Sequence, residues 1–237
     1  DVFLDPGPHS VVQVADAKNL RRALLVTAQL SELEVPSMLV LNLWDEAMDR
    51  GIQINVAAVR KALGIPVVET VATERRGING LRRALPGCAV PGVSIDYGSV
   101  IEEGVREISA RLEGKVSRGA RGVALSVLSG DRSILRQLLG KVDAELRLDM
   151  AAIRDRVKAQ FVDPVSAVIQ RKRGALADSI VAESVKVLGC GDGKRGPLRT
   201  VFYTILGPAL FYGVGWRLAS LVLFGFASGE ARFESVG

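Results

Sequence analysis

An asparagine and an aspartate three residues apart, in Asn42-Leu43-Trp44-Asp45, close an apolar run at 37–41. A carboxylate in that position can accept two hydrogen bonds from the N1 and 2-amino edge of a guanine, which adenine cannot supply. The asparagine amide can bond the acceptor side of the base and brace neighbouring loops. The competing reading is structural: a strand end, a polar turn and a helix with Asp45 as its N-cap. A second loop favours base recognition. After the next apolar run comes Val71-Ala72-Thr73-Glu74-Arg75-Arg76-Gly77-Ile78, where small residues can offer a backbone N–H to the guanine O6. Together the two loops make a guanine-binding corner with Asn42, Leu43, Asp45, Val71 and Ala72 as its candidate residues. Leu43 and Trp44 line such a pocket, or Trp44 packs beneath the loop.

Strand ends need strands to carry them. Residues 11–15 form a short β-branched run, 37–41 an apolar run and 65–71 a third. Between them, Leu20, Ala23, Leu24, Thr27 and Leu30 fall at helical spacing and predict a helix over 16–33. Further helices are expected over 56–63 and 78–85. Strands alternating with helices imply an α/β fold with a parallel sheet, whose ligands bind at the carboxyl ends of the strands. Pro86-Gly87 and Pro91-Gly92 punctuate a boundary. Beyond it, helix-period apolar residues predict an all-helical region, with helices over 101–112, 123–128, 132–139, 146–161 and 167–188. The pair Glu102-Glu103 and the run Arg171-Lys172-Arg173 read as solvated helix faces. A glycine-rich linker follows, Gly189-Cys190-Gly191-Asp192-Gly193.

The 237 residues are 48% hydrophobic and 24% charged, enough to build a core and incompatible with disorder. Two cysteines, Cys88 and Cys190, and one histidine, His9, build neither a zinc cluster nor a disulfide framework. No catalytic residue and no metal ligand is assigned. The net charge of +5 is spread among acids without an aromatic stripe, which argues against nucleic acid as a partner. A mean hydropathy of +0.24 is high for this much charge. The excess lies near the C-terminus, where eight of the 12 aromatic residues fall between Phe202 and Phe233. About 20 mostly apolar residues cross a bilayer, and the segment 198–226 is long enough. The competing reading is a buried hairpin broken at Gly207-Pro208. Arg217 opposes insertion, since a charge at mid-bilayer costs about 2.5–3.5 kcal/mol. Lys194 and Arg195, just before the segment, and Arg199, at its very start, place residues 1–195 on the cytoplasmic side.

The stretch 11–85 closely resembles the C-terminal half of the G domain of FeoB, the bacterial ferrous-iron transporter family. Val14-Ala15-Asp16-Ala17-Lys18-Asn19-Leu20-Arg21-Arg22, Val40-Leu41-Asn42-Leu43-Trp44-Asp45-Glu46-Ala47, Arg50-Gly51-Ile52-Gln53-Ile54 and Leu63-Gly64-Ile65-Pro66-Val67-Val68 carry the likeness. In that family a helical domain and then a membrane domain follow, the order read above. The resemblance implies a partial P-loop-GTPase-type sheet over 1–88, a helical spacer over 89–188, a linker over 189–197, one transmembrane helix over 198–226 and a tail over 227–237. It implies GTP or GDP as ligand, with Mg²⁺ in a complete protein, a lipid bilayer as partner and an inner-membrane location. Fe²⁺ would pass only through parts not present here, and a homo-oligomer is compatible with it. The family's Gly-x-x-x-x-Gly-Lys-Ser/Thr and Asp-x-x-Gly motifs are absent, so this chain alone is expected not to hydrolyse GTP. Val71 stands where the family usually carries serine. With no initiator methionine, and ending at Gly237 shortly after one apolar segment, the chain is expected to be a piece of a longer transporter. The rival is a membrane-anchored, GTPase-derived binding module without transport activity.

Overall fold

Five consecutive buried residues from Ser37 to Leu41 fix the centre of the fold. Such a run fits only a strand covered on both faces and flanked on both sides. In the computed structural model that strand, β2 (Ser37–Asn42), lies between β1 (Val11–Asp16) and β4 (Val67–Glu69), parallel to both. The structure describes residues 10–131, 134, 136 and 142–187, all within one compact unit, Asp1–Gly189. The expected linker, membrane segment and tail at 189–237 lie outside the described residues, as do His9, Cys190 and most of the helix expected over 132–139. Among the described residues, no helix is long and apolar enough to cross a membrane.

Helix α1 (Leu20–Glu32) returns the chain from β1 to β2 and buries Leu20, Ala23, Leu24, Thr27, Ala28 and Leu30. It starts later than its apolar spacing suggests. Asp16 ends the strand, and its side chain accepts from the Lys18 N–H at 2.9 Å, folding 17–19 into a 3-10 turn first. After β2 come α2 (Trp44–Asp49), β3 (Ile52–Ile54), α3 (Val56–Leu63), β4 and α4 (Ile78–Ala84). The third expected strand shortens from 65–71 to 67–69. Pro66 has no N–H to give the ladder, and beyond Glu69 the chain turns into the loop described below.

The second half is helical: α5 (Ser99–Leu112), α6 (Ala120–Ser129), α7 (Ala144–Lys158) and α8 (Val165–Ser184). Ile101, Ile108, Leu112, Leu125, Met150 and Ile153 build its core. Helix α8 serves two cores. Val165 and Ile169 join the helical one, while Ala177 and Ile180 join the core under the sheet.

Three expectations need correction here. The last helix stops at Ser184 rather than running to 188. Val185–Val187 forms β5, antiparallel to β3, with Ile54 opposite Val185 and Ile52 opposite Val187. Alternating β-branched residues facing a ready partner outweigh the continuing helical period. Arg173 is not solvated: it is 8% exposed and paired with Glu32. Glu102 is half-buried against Arg121, its carboxylate accepting at 2.7 and 2.8 Å. These guanidinium bonds hold the Glu102 carboxyl below the usual carboxylate range.

Candidate functional site

Parallel strands deliver their carboxyl ends to one edge. Asp16 stands in register with Asn42, and Leu41 with Glu69, so the loops after β1, β2 and β4 meet there. The Thr70 N–H donates to the Leu41 carbonyl at 2.9 Å, and the Trp44 N–H to the Thr70 carbonyl at 3.3 Å. Asn42 closes the corner. Its Oδ1 accepts from the Thr70 hydroxyl at 3.1 Å and from the Ala72 N–H at 3.1 Å. The loop-bracing role expected of the asparagine is thus present as geometry.

Leu43 occupies the left-handed region, with φ +56° and ψ 39°. That conformation costs an L-residue about 1–2 kcal/mol, and it lets the chain enter α2 directly from the strand. Leu43, not Asp45, holds the N-cap position, and no side chain caps the helix. Asp45 lies in the first turn, where the helix dipole favours a negative charge. One of its oxygens, Oδ1, is buried and has no hydrogen-bond partner. A buried acceptor without a donor is costly, and such groups mark ligand or water positions.

The second loop is closed on itself. Val71 and Arg76 exchange both backbone hydrogen bonds at 3.1 Å, and Arg75 takes φ +54°. Val71 is 2% exposed, its side chain is packed inward beneath the loop, and its N–H donates to the Arg76 carbonyl. Ala72 is exposed, and its N–H, the donor expected for a guanine O6, is held by Asn42. Gly77 (φ +85°) ends the loop; a Cβ there would stand 2.2 Å from the Glu69 carbonyl oxygen, which leaves room for glycine alone. Asn42, Leu43, Asp45 and Ala72 are therefore gathered at one corner. Trp44 is half-buried and packs against the core under the sheet.

Two participants escape the sequence argument. Thr70 ties both loops to Asn42, and a hydroxyl directly after a strand was its only signal. Lys18 spans the first loop and α2: its Nζ contacts Glu46, the neighbour of Asp45, and lies 3.6 Å from Asp16. Asp16 also accepts from the Asn19 amide at 3.1 Å. Among the described residues, no group of three His, Cys, Asp or Glu could hold a metal ion.

Comparison with known proteins agrees with this architecture. The family model described as ferrous iron transport protein B matches residues 1–85, and that of the FeoB cytosolic helical domain matches residues 97–186. A fusion of Fe(2+) transport protein A with the Fe(2+) transporter FeoB from Porphyromonas gingivalis is 32% identical over 139 residues, 54% of this chain and 16% of that protein. The Fe(2+) transporter FeoB of Staphylococcus aureus is 28% identical over 179 residues, 73% of this chain and 26% of that protein. The chain therefore spans no more than about a quarter of these relatives' length. Among solved structures, a GDP-bound mutant of S. thermophilus NFeoB superposes with a TM-score of 0.65 at 24% identity, covering 78% of this chain and 72% of the other. The cytosolic domain of L. pneumophila FeoB gives 0.66 at 21% identity, covering 78% and 70%. These two likenesses establish the fold. With its sheet half and its helical half matching successive parts of one protein, the chain belongs to the FeoB family.

Proposed function

We propose that the corner at Asn42, Asp45 and Ala72 recognises the base of GTP or GDP, and that it serves GTP-dependent uptake of ferrous iron through a membrane domain. The observation that carries the base reading is the pairing of two features. Asn42 locks the two loops together, and the Asp45 carboxylate beside it keeps a buried oxygen without a donor. A guanine edge brings two N–H donors to such a carboxylate. The relatives named as Fe(2+) transporters and the GDP-bound structural neighbour support the wider reading. In it, residues 1–88 are the base-recognition half of a G domain and 89–188 a spacer between nucleotide and membrane.

The experiment grafts the N-terminal half of a FeoB relative's G domain, with its P-loop, onto this chain. Asp45→Asn should weaken GDP binding by about 10- to 150-fold, the equivalent of about 1.5–3 kcal/mol for a hydrogen bond to a charged group. Discrimination against ADP should fall with it. Unchanged GDP affinity in calorimetric titration would return Asp45 to a purely structural role.

The membrane part of the proposal rests on the sequence. The segment 198–226 spans the bilayer, with residues 1–195 on the cytoplasmic side, because its length suffices and its basic flank precedes it. Topology reporters fused after residue 195 and after residue 230 should report opposite sides. Reports from the same side, or recovery of the chain in the soluble fraction, would sink this part and favour a module with no membrane coupling.

A further inference from the structure

A buried ion pair between the two halves lies far from the base corner, at the other end of α1. Glu32, in the last turn, is 7% exposed and receives the Arg173 guanidinium of α8 twice, Nε to Oε1 at 3.1 Å and Nη2 to Oε2 at 2.5 Å. The Tyr97 hydroxyl donates to the same Oε1. Burial and then the Glu32 carboxylate push the Tyr97 hydroxyl well above the ordinary phenol range, so it stays a donor. Tyr97 is itself fixed. Its N–H donates to Glu102 at 3.0 Å, and Arg121, paired with Glu102, sits 5.7 Å from its ring centre. Arg121 also donates to the Ile95 carbonyl at 2.8 Å.

The same turn is gripped by backbone. Ser31 Oγ lies 2.6 Å from the Pro91 carbonyl and 2.7 Å from that of Val93. Gly119 and Gly122 of the helical half press so close to Glu32 and Leu33 that a Cβ on either would come within 2.4–2.9 Å of them. A polar cavity of about 140 Å³, walled by Gln29, Ser126, Ser129 and Gln170 among others, opens beside the ion pair. At its beginning α1 issues from the Asp16–Lys18–Asn19 turn, which holds Glu46 next to Asp45. There α8 touches α1 again, Arg21 to Asp178 at 2.6 Å, but this pair is exposed.

We propose that α1 is a rigid link between the base corner and the helical half, with Glu32, Arg173 and Tyr97 as the positioning residues that clamp its far end. A helix of 13 residues carries displacement over about 20 Å. A buried, multiply bonded ionic cluster holds its partners in one geometry where a surface pair would not. Motion of the helical half then reaches Lys18 and α2 through α1, and motion of the corner reaches Arg173 by the same route. Its meaning for nucleotide binding rests on the base-recognition reading; the link itself does not.

Amide hydrogen exchange on the full chain without nucleotide tests it. Three amides report the corner: Lys18, bonded to Asp16; Trp44, bonded to Thr70; and Ala72, bonded to Asn42. Arg173→Lys keeps the charge but loses the two-pronged contact, and Tyr97→Phe removes only the hydroxyl. Each should speed exchange at all three amides by at least about fivefold. The control, Arg156→Lys, alters an exposed pair with Glu107 inside the helical half and should leave them unchanged. Wild-type rates at the corner in both variants, with acceleration confined to residues 29–34, would overturn the link. Equal acceleration in the control would overturn it too. Failure of GDP to bind the grafted protein would defeat the base reading and leave these exchange data as they stand.

Discussion

Arg173→Met should destabilise the protein by about 3–5 kcal/mol, the cost of leaving a buried carboxylate without its partner. Glu32 at 7% and Arg173 at 8% exposure lie largely out of bulk water, which reaches them only through the adjoining polar cavity of about 140 Å³. The Tyr97 hydroxyl alone cannot neutralise the charge left on Glu32. Burial by itself would lower the Arg173 pKa, yet the Glu32 hydrogen bonds and charge hold it above the ordinary guanidinium value. Arg173 therefore enters the folded core as a guanidinium. In a unit of this size the loss is equivalent to a fall of about 6–20 °C in midpoint temperature. The double variant Glu32→Leu/Arg173→Met should recover most of it, because well-packed apolar replacements of a buried pair are often neutral. Urea unfolding of wild type, both single variants and the double variant gives the coupling directly. A single-variant cost below about 1 kcal/mol would place the pair among surface salt bridges, against the burial seen here.

How much of this was visible in the chain depends on sequence distance. The base corner is built from strand ends and the few residues after them. The positions of Asn42, Asp45 and Ala72 at one sheet edge were therefore legible from a local motif placed after an apolar run, while their contact with a base is the proposal made above. Val71 was legible as a loop residue, but not that its side chain is the last inward one before the chain turns. The α1 clamp joins residues 141 positions apart, a pairing no local pattern encodes. A trace of it existed. Ile169, Arg173, Ala177 and Ile180 are all buried at spacings of four, four and three on α8, so Arg173 sits in the apolar stripe while Arg171 and Lys172 do not. Reading the three basic residues as one run hid that difference. Strand β5 was lost for a similar reason. Val185 and Val187 continue an apolar pattern that suits helix or strand, and only β3, more than 130 residues away in sequence, decides between them.

The other large effect is expected from a single methyl group. Gly119 stands at the N-terminus of α6 with φ +66° and ψ 31°, and its N–H donates to Glu34 at 3.2 Å. Alanine there suffers twice. The left-handed backbone costs an L-residue about 1–2 kcal/mol. Its Cβ would also stand 2.4 Å from the Leu33 carbonyl oxygen and 2.7 Å from the carbonyl carbon and Cα. Those are backbone atoms at the end of α1, held by the Glu32 cluster and the Ser31 contacts, so relief requires the helical half to back away from α1. Overpacking of this kind adds about 1–3 kcal/mol, for a total of about 2–5 kcal/mol. Gly130, with φ +76° and nothing within 4 Å of an added Cβ, isolates the backbone contribution. Gly130→Ala should therefore cost only about 1–2 kcal/mol. Urea midpoints compared at a constant slope measure both. Equal losses in the two variants would mean that the contact between α6 and the end of α1 yields freely, and the clamp on α1 would lose its steric half.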